Sequence, residues 1–304
     1  MDQFLILLSS YSYLLSIPLL ILSLVLAFKL VSAILRVISL LICLFMIAIS
    51  WMFFVEPNII NIKEINIPMG INTKLVFVSD LHFSKLKNTN FATQVANKIN
   101  TLDNVDMVLW GGDWAENLTN QELESPIRQI GTIKFPQYTV LGNHDFQYKK
   151  SSKPKTIQEP TEFSLQLIKS LESNGIKVID NESISMPDIE LIGISSQATT
   201  YSTIPTSTDN KNRVYLTHEA DTIGKLPKNN NQITLAGHSH CGQIKIPVLS
   251  QIAYNNYGNH KSKYFEGLYD VKDQGKLFLS CGLGETILPL RLLNPPTIYK
   301  INFN

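Results

Sequence analysis

Five times along this chain a short, β-branched run stops on a residue able to bind a metal. VFVS precedes Asp80-Leu-His82, MVLW precedes Gly-Gly-Asp113, and YTVL precedes Gly-Asn143-His144-Asp145. VYLT precedes His218, and ITLA precedes Gly-His238-Ser-His240. Short apolar runs with these flanks read as buried strands. Polar groups at strand ends ride on loops carried by a rigid frame, where sites collect. Each has an ordinary reading when taken singly: Asp80 a turn residue, Asp113 a helix cap, His218 a satisfied core histidine. Five in succession, with Asp-x-His and His-x-His spacings, call for a common cause. In extended chain, alternate side chains share a face, so such spacings let two ligands converge.

The donor types narrow the chemistry. Carboxylates and imidazoles without a thiolate-rich set suit zinc, manganese, iron or nickel better than calcium. The set is too large for one ion. Two ions about 3.5–4 Å apart, bridged by one carboxylate, match it and suit hydrolysis of phosphate esters.

Between these strands the periodicity predicts a helix over 91–102, with Phe91, Val95, Ile99 and Leu102 on one face. A short helix near 121–131 is expected to be interrupted by Pro126. Thr161 caps a helix to about Ser173, which Asn174-Gly175 stops. The later half is mostly strand: IKVID, IELIGI, RVYLT, QITLA, QIKI, KLFLS and TIYKINF. Strand-helix alternation followed by strands predicts a layered α/β fold rich in sheet, not a pure doubly wound one. The loop over 196–212, rich in Ser, Thr and Asn, is expected to be exposed, and loops such as 146–160 and 196–212 are expected to set substrate choice.

The first 56 residues differ in kind. Residues 4–28 and 37–55 contain no charge. At about 1.5 Å per residue, roughly 20 residues cross a hydrocarbon core, so two transmembrane helices are expected. Trp51 suits the lipid interface. Residues 57–73 read as a connector with a short strand through Ile60, Ile62, Ile65 and Ile67, and residues 74–304 as one catalytic domain. The formal net charge is +1, and the membrane region removes two charges of each sign (Lys29, Arg36, Asp2, Glu56). A balanced domain gives no electrostatic case for nucleic acid. Lys29 and Arg36 bracket the link between the runs, which places the link in the cytoplasm and the domain outside. Cys43 lies in a membrane run, and Cys241 and Cys281 read as free thiols.

Asp80-Leu-His82, Gly112-Asp113, Gly142-Asn143-His144-Asp145, His218 and Gly237-His238-Ser239-His240 together resemble the calcineurin-like metallophosphoesterase signature, in order and over about residues 74–304. The stretch SCGLGETILPLRLLNPP resembles the branch of membrane-anchored bacterial phosphodiesterases that includes UDP-2,3-diacylglucosamine hydrolases. The resemblance implies an α/β fold, a two-sheet β-sandwich flanked by helices, here preceded by transmembrane helices in a bacterial inner or plasma membrane. It implies two divalent ions, manganese first, with zinc, iron or nickel as alternatives. Asp80, His82 and His240 would hold one; Asn143, His218 and His238 the other; Asp113 would bridge them. A hydroxide between the ions would attack phosphorus, His144 would stabilise the transition state and protonate the leaving oxygen, and Asp145 would orient His144. The implied substrate is a lipidic phosphodiester or pyrophosphate such as UDP-2,3-diacylglucosamine, which requires a cytoplasmic site and so conflicts with the charge bias of the link. The alternatives are an outward-facing phosphodiesterase on envelope phospholipids and a non-catalytic metal-bound scaffold. The chain departs from the branch at Cys241, where a second glycine is usual.

Overall fold

The computed structural model describes residues 16–26, 33–146, 160–196, 211–248, 250, 252 and 264–304. Two six-stranded sheets face each other. The first holds β1 (Asn61–Ile67), β2 (Lys74–Val78), β3 (Met107–Trp110), β4 (Gln137–Thr139), β5 (Ile176–Val178) and β12 (Thr297–Phe303), in the order β1-β12-β2-β3-β4-β5. The second holds β6 (Ser183–Ser185), β7 (Ile189–Ile194), β8 (Asn212–Thr217), β9 (Gln232–Ala236), β10 (Gly267–Val271) and β11 (Gly275–Leu279), in the order β10-β11-β9-β8-β7-β6. β2 to β5 run parallel in one sheet, and β7, β8, β9 and β11 run parallel in the other.

Period-two alternation assigns each residue of β2 to a layer. Leu75 and Phe77 enter the core between the sheets, with Leu109, Ile301, Leu216 and Leu235. Val76 and Val78 face the helices, with Phe91, Val95, Leu123, Ile127 and Leu167. Each such side chain fully buried contributes about 1.5–3 kcal/mol. The helices are α3 (Thr89–Asn100), α4 (Asn120–Ile130) and α5 (Glu162–Ser173). Thr161 caps α5 by accepting from Ser164 N, and Gly175 leaves it at φ +82. α4 runs unbroken through Pro126, which is buried. A capping box of Thr119 and Glu122 secures the start of that helix and offsets the donor that proline lacks.

Three further expectations change. QIKI is not a strand; Ile244 makes a single bridge to Leu292. β6 and β10 are short antiparallel edge strands that the periodicity missed. Cys241 and Cys281 are not free thiols but a disulfide, with Cα atoms 4.8 Å apart. β9 and β11 are parallel neighbours, so the chains leaving their C-terminal ends lie side by side although 40 residues separate the cysteines.

At the N-terminal side, α2 (Ala33–Ser50) continues through a π turn (Trp51–Val55) and a 3-10 turn (Glu56–Asn58). The stretch Ile34–Asn58 spans 25 residues, contains an 18-residue window of mean hydropathy 2.6 and exposes most of its apolar side chains. Among the described residues it is the one helix long and apolar enough to cross a membrane. α1 (Ser16–Leu26) is shorter, and the expected first span lies partly outside the described residues. Ser23 and Cys43 meet between the two helices at 2.8 Å.

The apolar helix is tied to the sheets at its end. Arg291 N donates to Met52 O (3.0 Å), Trp51 Nε1 to Glu56 Oε2 (2.9 Å), and Lys87 Nζ to Pro57 O. β1 then pairs in parallel with β12, so the expected connector strand forms the sheet edge.

Candidate metal centre

The five strand ends belong to β2, β3 and β4 of one sheet and β8 and β9 of the other. All five meet at one end of the sandwich. Backbone bonds continue the β2–β3 pairing past the strands: Asp80 N donates to Gly112 O, His82 N to Asp113 O, and Phe83 N to Trp114 O. Gly237 N donates to His218 O, which joins the β8 and β9 ends in the same way.

Convergence does not come from extended chain. Asp80, His82, Asp113, His238 and His240 have φ of 53, 41, 57, 69 and 47°. Each sits in the left-handed region, which costs a non-glycine residue of order 1–3 kcal/mol and marks functional sites. Two glycines make the crowding feasible. A Cβ on Gly142 would fall on Asp113 Oδ1, and one on Gly237 would fall on Asp80 Oδ2.

Two ligand groups result. Asp80, His82 and His240 offer ligand atoms within 4.8 Å of one another, and Asp113, His218 and His238 do the same. His240 Nε2 faces His82 Nε2 at 3.0 Å, and His238 Nδ1 faces His218 Nε2 at 3.1 Å. Asp113 Oδ2 stands between the groups, 3.0 Å from His218 Nε2 and 3.4 Å from His82 Nε2. Asn143 opens a 3-10 turn, Asn143–Phe146, with its side chain exposed.

This donor set fits metal ions. Ligand atoms each about 2.1 Å from one ion stand about 3 Å apart, the spacing of the facing ring nitrogens. The remaining ring nitrogens of two of these histidines are held by carbonyls, His218 Nδ1 by Gly111 O (2.7 Å) and His240 Nδ1 by Gly284 O (3.1 Å). That fixes Nε2 as the free ligand atom.

The charges tell the same story. Burial raises Asp80, against the pull of His218. Burial works against ionised Asp113, yet His218 and His82 hold it well below the carboxylate range. Burial disfavours charge on His82, but Asp113 and Glu116 outweigh it and bring the imidazole up to about 10. Burial, with His82 and Arg291 nearby, drives His240 well down. Buried carboxylates thus recruit positive charge, here as protons on imidazoles, which a divalent ion would displace.

The geometry corrects one expectation. Asp145 does not orient His144. Its carboxylate accepts from the amides of Asp113 (2.9 Å), Trp114 (2.7 Å), Ala115 (3.3 Å) and Gly142 (2.9 Å). It clamps the β3 and β4 loops together beneath Asp113. Burial and Asp113 push it up to about 7. The partner of His144 is Glu116, whose Oε2 lies 2.9 Å from His144 Nδ1 and 2.8 Å from His82 Nδ1. Glu116 was invisible as a site residue in the sequence. Its position follows from the Phe83–Ala115 bridge, with Glu116 N donating to Phe83 O. The available signal was register: the acid three residues past Asp113 aligns with the loop that carries His82.

Around His240 a buried arginine organises the last loop. Arg291 donates to Glu285 (3.0 Å) and to the carbonyls of Cys281, Gly282, Gly284 and Asn294. Asn294 Nδ2 donates to His240 O (2.8 Å), and Asn294 N to Glu56 Oε1 (2.5 Å).

Comparison with known proteins agrees with this architecture. The calcineurin-like phosphoesterase family matches over residues 73–242. An uncharacterized metallophosphoesterase of Bacillus subtilis, YkuE, is 26% identical over 261 residues, covering 81% of this chain and 86% of that protein. An uncharacterized metallophosphoesterase of Helicobacter pylori is 24% identical over 238 residues, covering 74% of this chain and 58% of that protein. UDP-2,3-diacylglucosamine pyrophosphatase LpxG of Chlamydia muridarum is 21% identical over 299 residues, covering 82% of this chain and 90% of that protein. The family match spans more than half of the chain and contains the clustered aspartates and histidines, so the chain belongs to the calcineurin-like phosphoesterases.

Proposed function

We propose that this protein is a membrane-anchored, binuclear metal-dependent hydrolase of a phosphodiester or pyrophosphate in an amphiphile. The observation that carries the proposal is the pair of facing imidazole sets with Asp113 between them. Asp80, His82 and His240 would hold one ion and Asn143, His218 and His238 the other, with Asp113 placed to contribute to both. Two divalent ions, manganese first, would supply an activated water and charge stabilisation for the phosphoryl oxygens. The chain's own residues do the rest. His144, partly exposed at the rim, faces the substrate and delivers a proton to the leaving oxygen. Glu116 fixes the ring of His144 and holds its proton ready. Asp145 fixes the loop that presents Asp113.

The apolar helix supports a lipidic substrate, since an enzyme held at the interface meets an amphiphile without extracting it into water. The likeness to LpxG makes UDP-2,3-diacylglucosamine the first candidate. A second reading is an outward-facing phosphodiesterase on envelope phospholipids. The Cys241–Cys281 bond favours it, because structural disulfides persist in oxidising compartments.

The deciding experiment offers purified full-length protein with manganese three substrates: UDP-2,3-diacylglucosamine, bis(p-nitrophenyl) phosphate and a monoester, with His144→Ala as the blank. His144-dependent release of UMP is expected under the first reading and requires a cytoplasmic site. Cleavage of the artificial diester alone rejects that substrate and leaves the second reading. No His144-dependent cleavage of any substrate rejects both.

A further inference from the structure

Among the described residues beyond 58, six of the eleven large apolar side chains that face solvent fall in two short regions. Ile246, Val248 and Ile252 lie in one loop region, and Ile287, Leu288 and Leu293 in another. The two are laced together. Lys245 N donates to Leu292 O (2.7 Å), Leu292 N to Gln243 O (3.1 Å), and Gln243 Nε2 to Leu288 O (3.0 Å). The same assembly is bonded to the apolar helix through Arg291 N and Met52 O. Pro289 shares the wall of a 140 Å³ cavity with Phe53, Phe54 and Leu86. Val248, Ile287 and Leu293 are 73, 86 and 60% exposed, and their φ values are 68, 65 and 55°. A positive φ is unusual for a β-branched residue and costly to hold. Here it points valine and isoleucine outward, where packing within the protein gives no return.

We propose that residues 244–248, 250 and 252 together with 286–293 form an apolar collar around the exit of the helix, and that this collar sinks into the interfacial layer of a lipid bilayer. The proposal rests on the reading that Ile34–Asn58 crosses a membrane. A bilayer is the one occupant already required beside this face, because the collar is continuous with a helix that exposes apolar side chains along its length. Trp51 and the exposed Lys85, next to Leu86, lie where interfacial aromatic and cationic side chains belong. The collar is also the chain that carries the site. Gln243 follows His240 by three residues, and Gly284 O, three residues before Ile287, accepts from His240 Nδ1. The depth of the collar would therefore set the height of the candidate ligand cluster above the lipid.

The test uses full-length protein in phosphatidylcholine vesicles with brominated acyl chains. Tryptophan is introduced as Val248→Trp or Ile287→Trp, and as Leu165→Trp in control. Leu165 is exposed on α5, which packs at β5, the sheet edge opposite β1. Leu288→Trp, on ordinary backbone, replaces Ile287→Trp if that variant fails to fold. The fluorescence gained at 248 and 287 should be quenched by bromine near the top of the chains, and that at 165 should not. Equal behaviour at all three positions, in protein that still floats with vesicles after an alkaline carbonate wash, overturns the collar and spares the anchor. Loss of flotation after the wash overturns the anchor and the collar with it.

Discussion

Replacing Glu116 by glutamine is the sharpest test of how the site is organised. One carboxylate oxygen holds two imidazoles, His82 Nδ1 at 2.8 Å and His144 Nδ1 at 2.9 Å. The two histidines bring Glu116 down to about 2 although burial opposes this, so it stays ionised throughout any practical assay. Glutamine keeps the shape and loses the charge, and its amide oxygen serves both rings more weakly. A hydrogen bond to a charged group contributes about 1.5–3 kcal/mol. At about 1.4 kcal/mol per factor of ten, that is roughly 10- to 100-fold in rate. The same range, about 10- to 100-fold, is usual for a group that orients a metal ligand. Glu116→Gln should therefore lower kcat on bis(p-nitrophenyl) phosphate by about 10- to 100-fold and weaken metal binding by about tenfold. The pH profile should move as well. Burial depresses the charge on His144, and Glu116 overrides it to raise the imidazole. A general acid is lost as pH rises through its pKa, so removing the carboxylate should shift the falling limb to lower pH. Combining Glu116→Gln with His144→Ala should cost little more in kcat than His144→Ala alone. Activity within about twofold of the parent, with an unmoved profile, would refute the assignment.

Three further outcomes follow from the same geometry. Gly142→Ala drives a methyl group into Asp113 Oδ1, so the protein should fold but lose metal and activity together, read by elemental analysis and turnover. Arg291→Met leaves buried Glu285 with Lys87 alone, 3.4 Å away, and strips the donor from several carbonyls, and urea unfolding should show a loss of about 3 kcal/mol. Asp180 is pushed up to about 7 by burial, against the donor Leu141 N. Its folded carboxyl keeps a proton that the unfolded chain releases near 3.8, so stability falls as pH rises between those values and the full penalty persists above them. Asp180→Asn should raise Tm by about 2–4 °C at pH 8, for about 1 kcal/mol, and change it little near pH 4.

How much of this was legible depended on whether the information was local. The strand ends were, because each apolar run of β2, β3, β4, β8 and β9 stops on a polar residue within the same few positions. Thr161 and Gly175 marked α5 for the same reason: capping is a local hydrogen bond. Pro126 misled because buried packing on α4 outweighs one missing backbone bond. The manner of convergence at Asp80 and His82 was not legible. Left-handed backbone at five candidate ligand positions is imposed by neighbouring loops, and propensity would argue against it. Glu116 and the Cys241–Cys281 bond were hidden for another reason. Both depend on which strands become neighbours, β2 with β3 and β9 with β11, and no short window contains that fact.

Glu56 has a practical consequence. The apolar stretch reads as ending at Val55, and a water-soluble enzyme would naturally be cut there. Yet Glu56 is buried, pinned by Trp51 Nε1 on one side and holding Asn294 N on the other, and Asn294 holds His240 O. Two side chains separate the helix from His240. A cut after Val55 would leave a charged amino terminus where Trp51 now covers that carboxylate, and the disturbance would reach the histidine. The sound place to begin a shortened enzyme is ahead of Trp51, within sequence that hydropathy alone would discard.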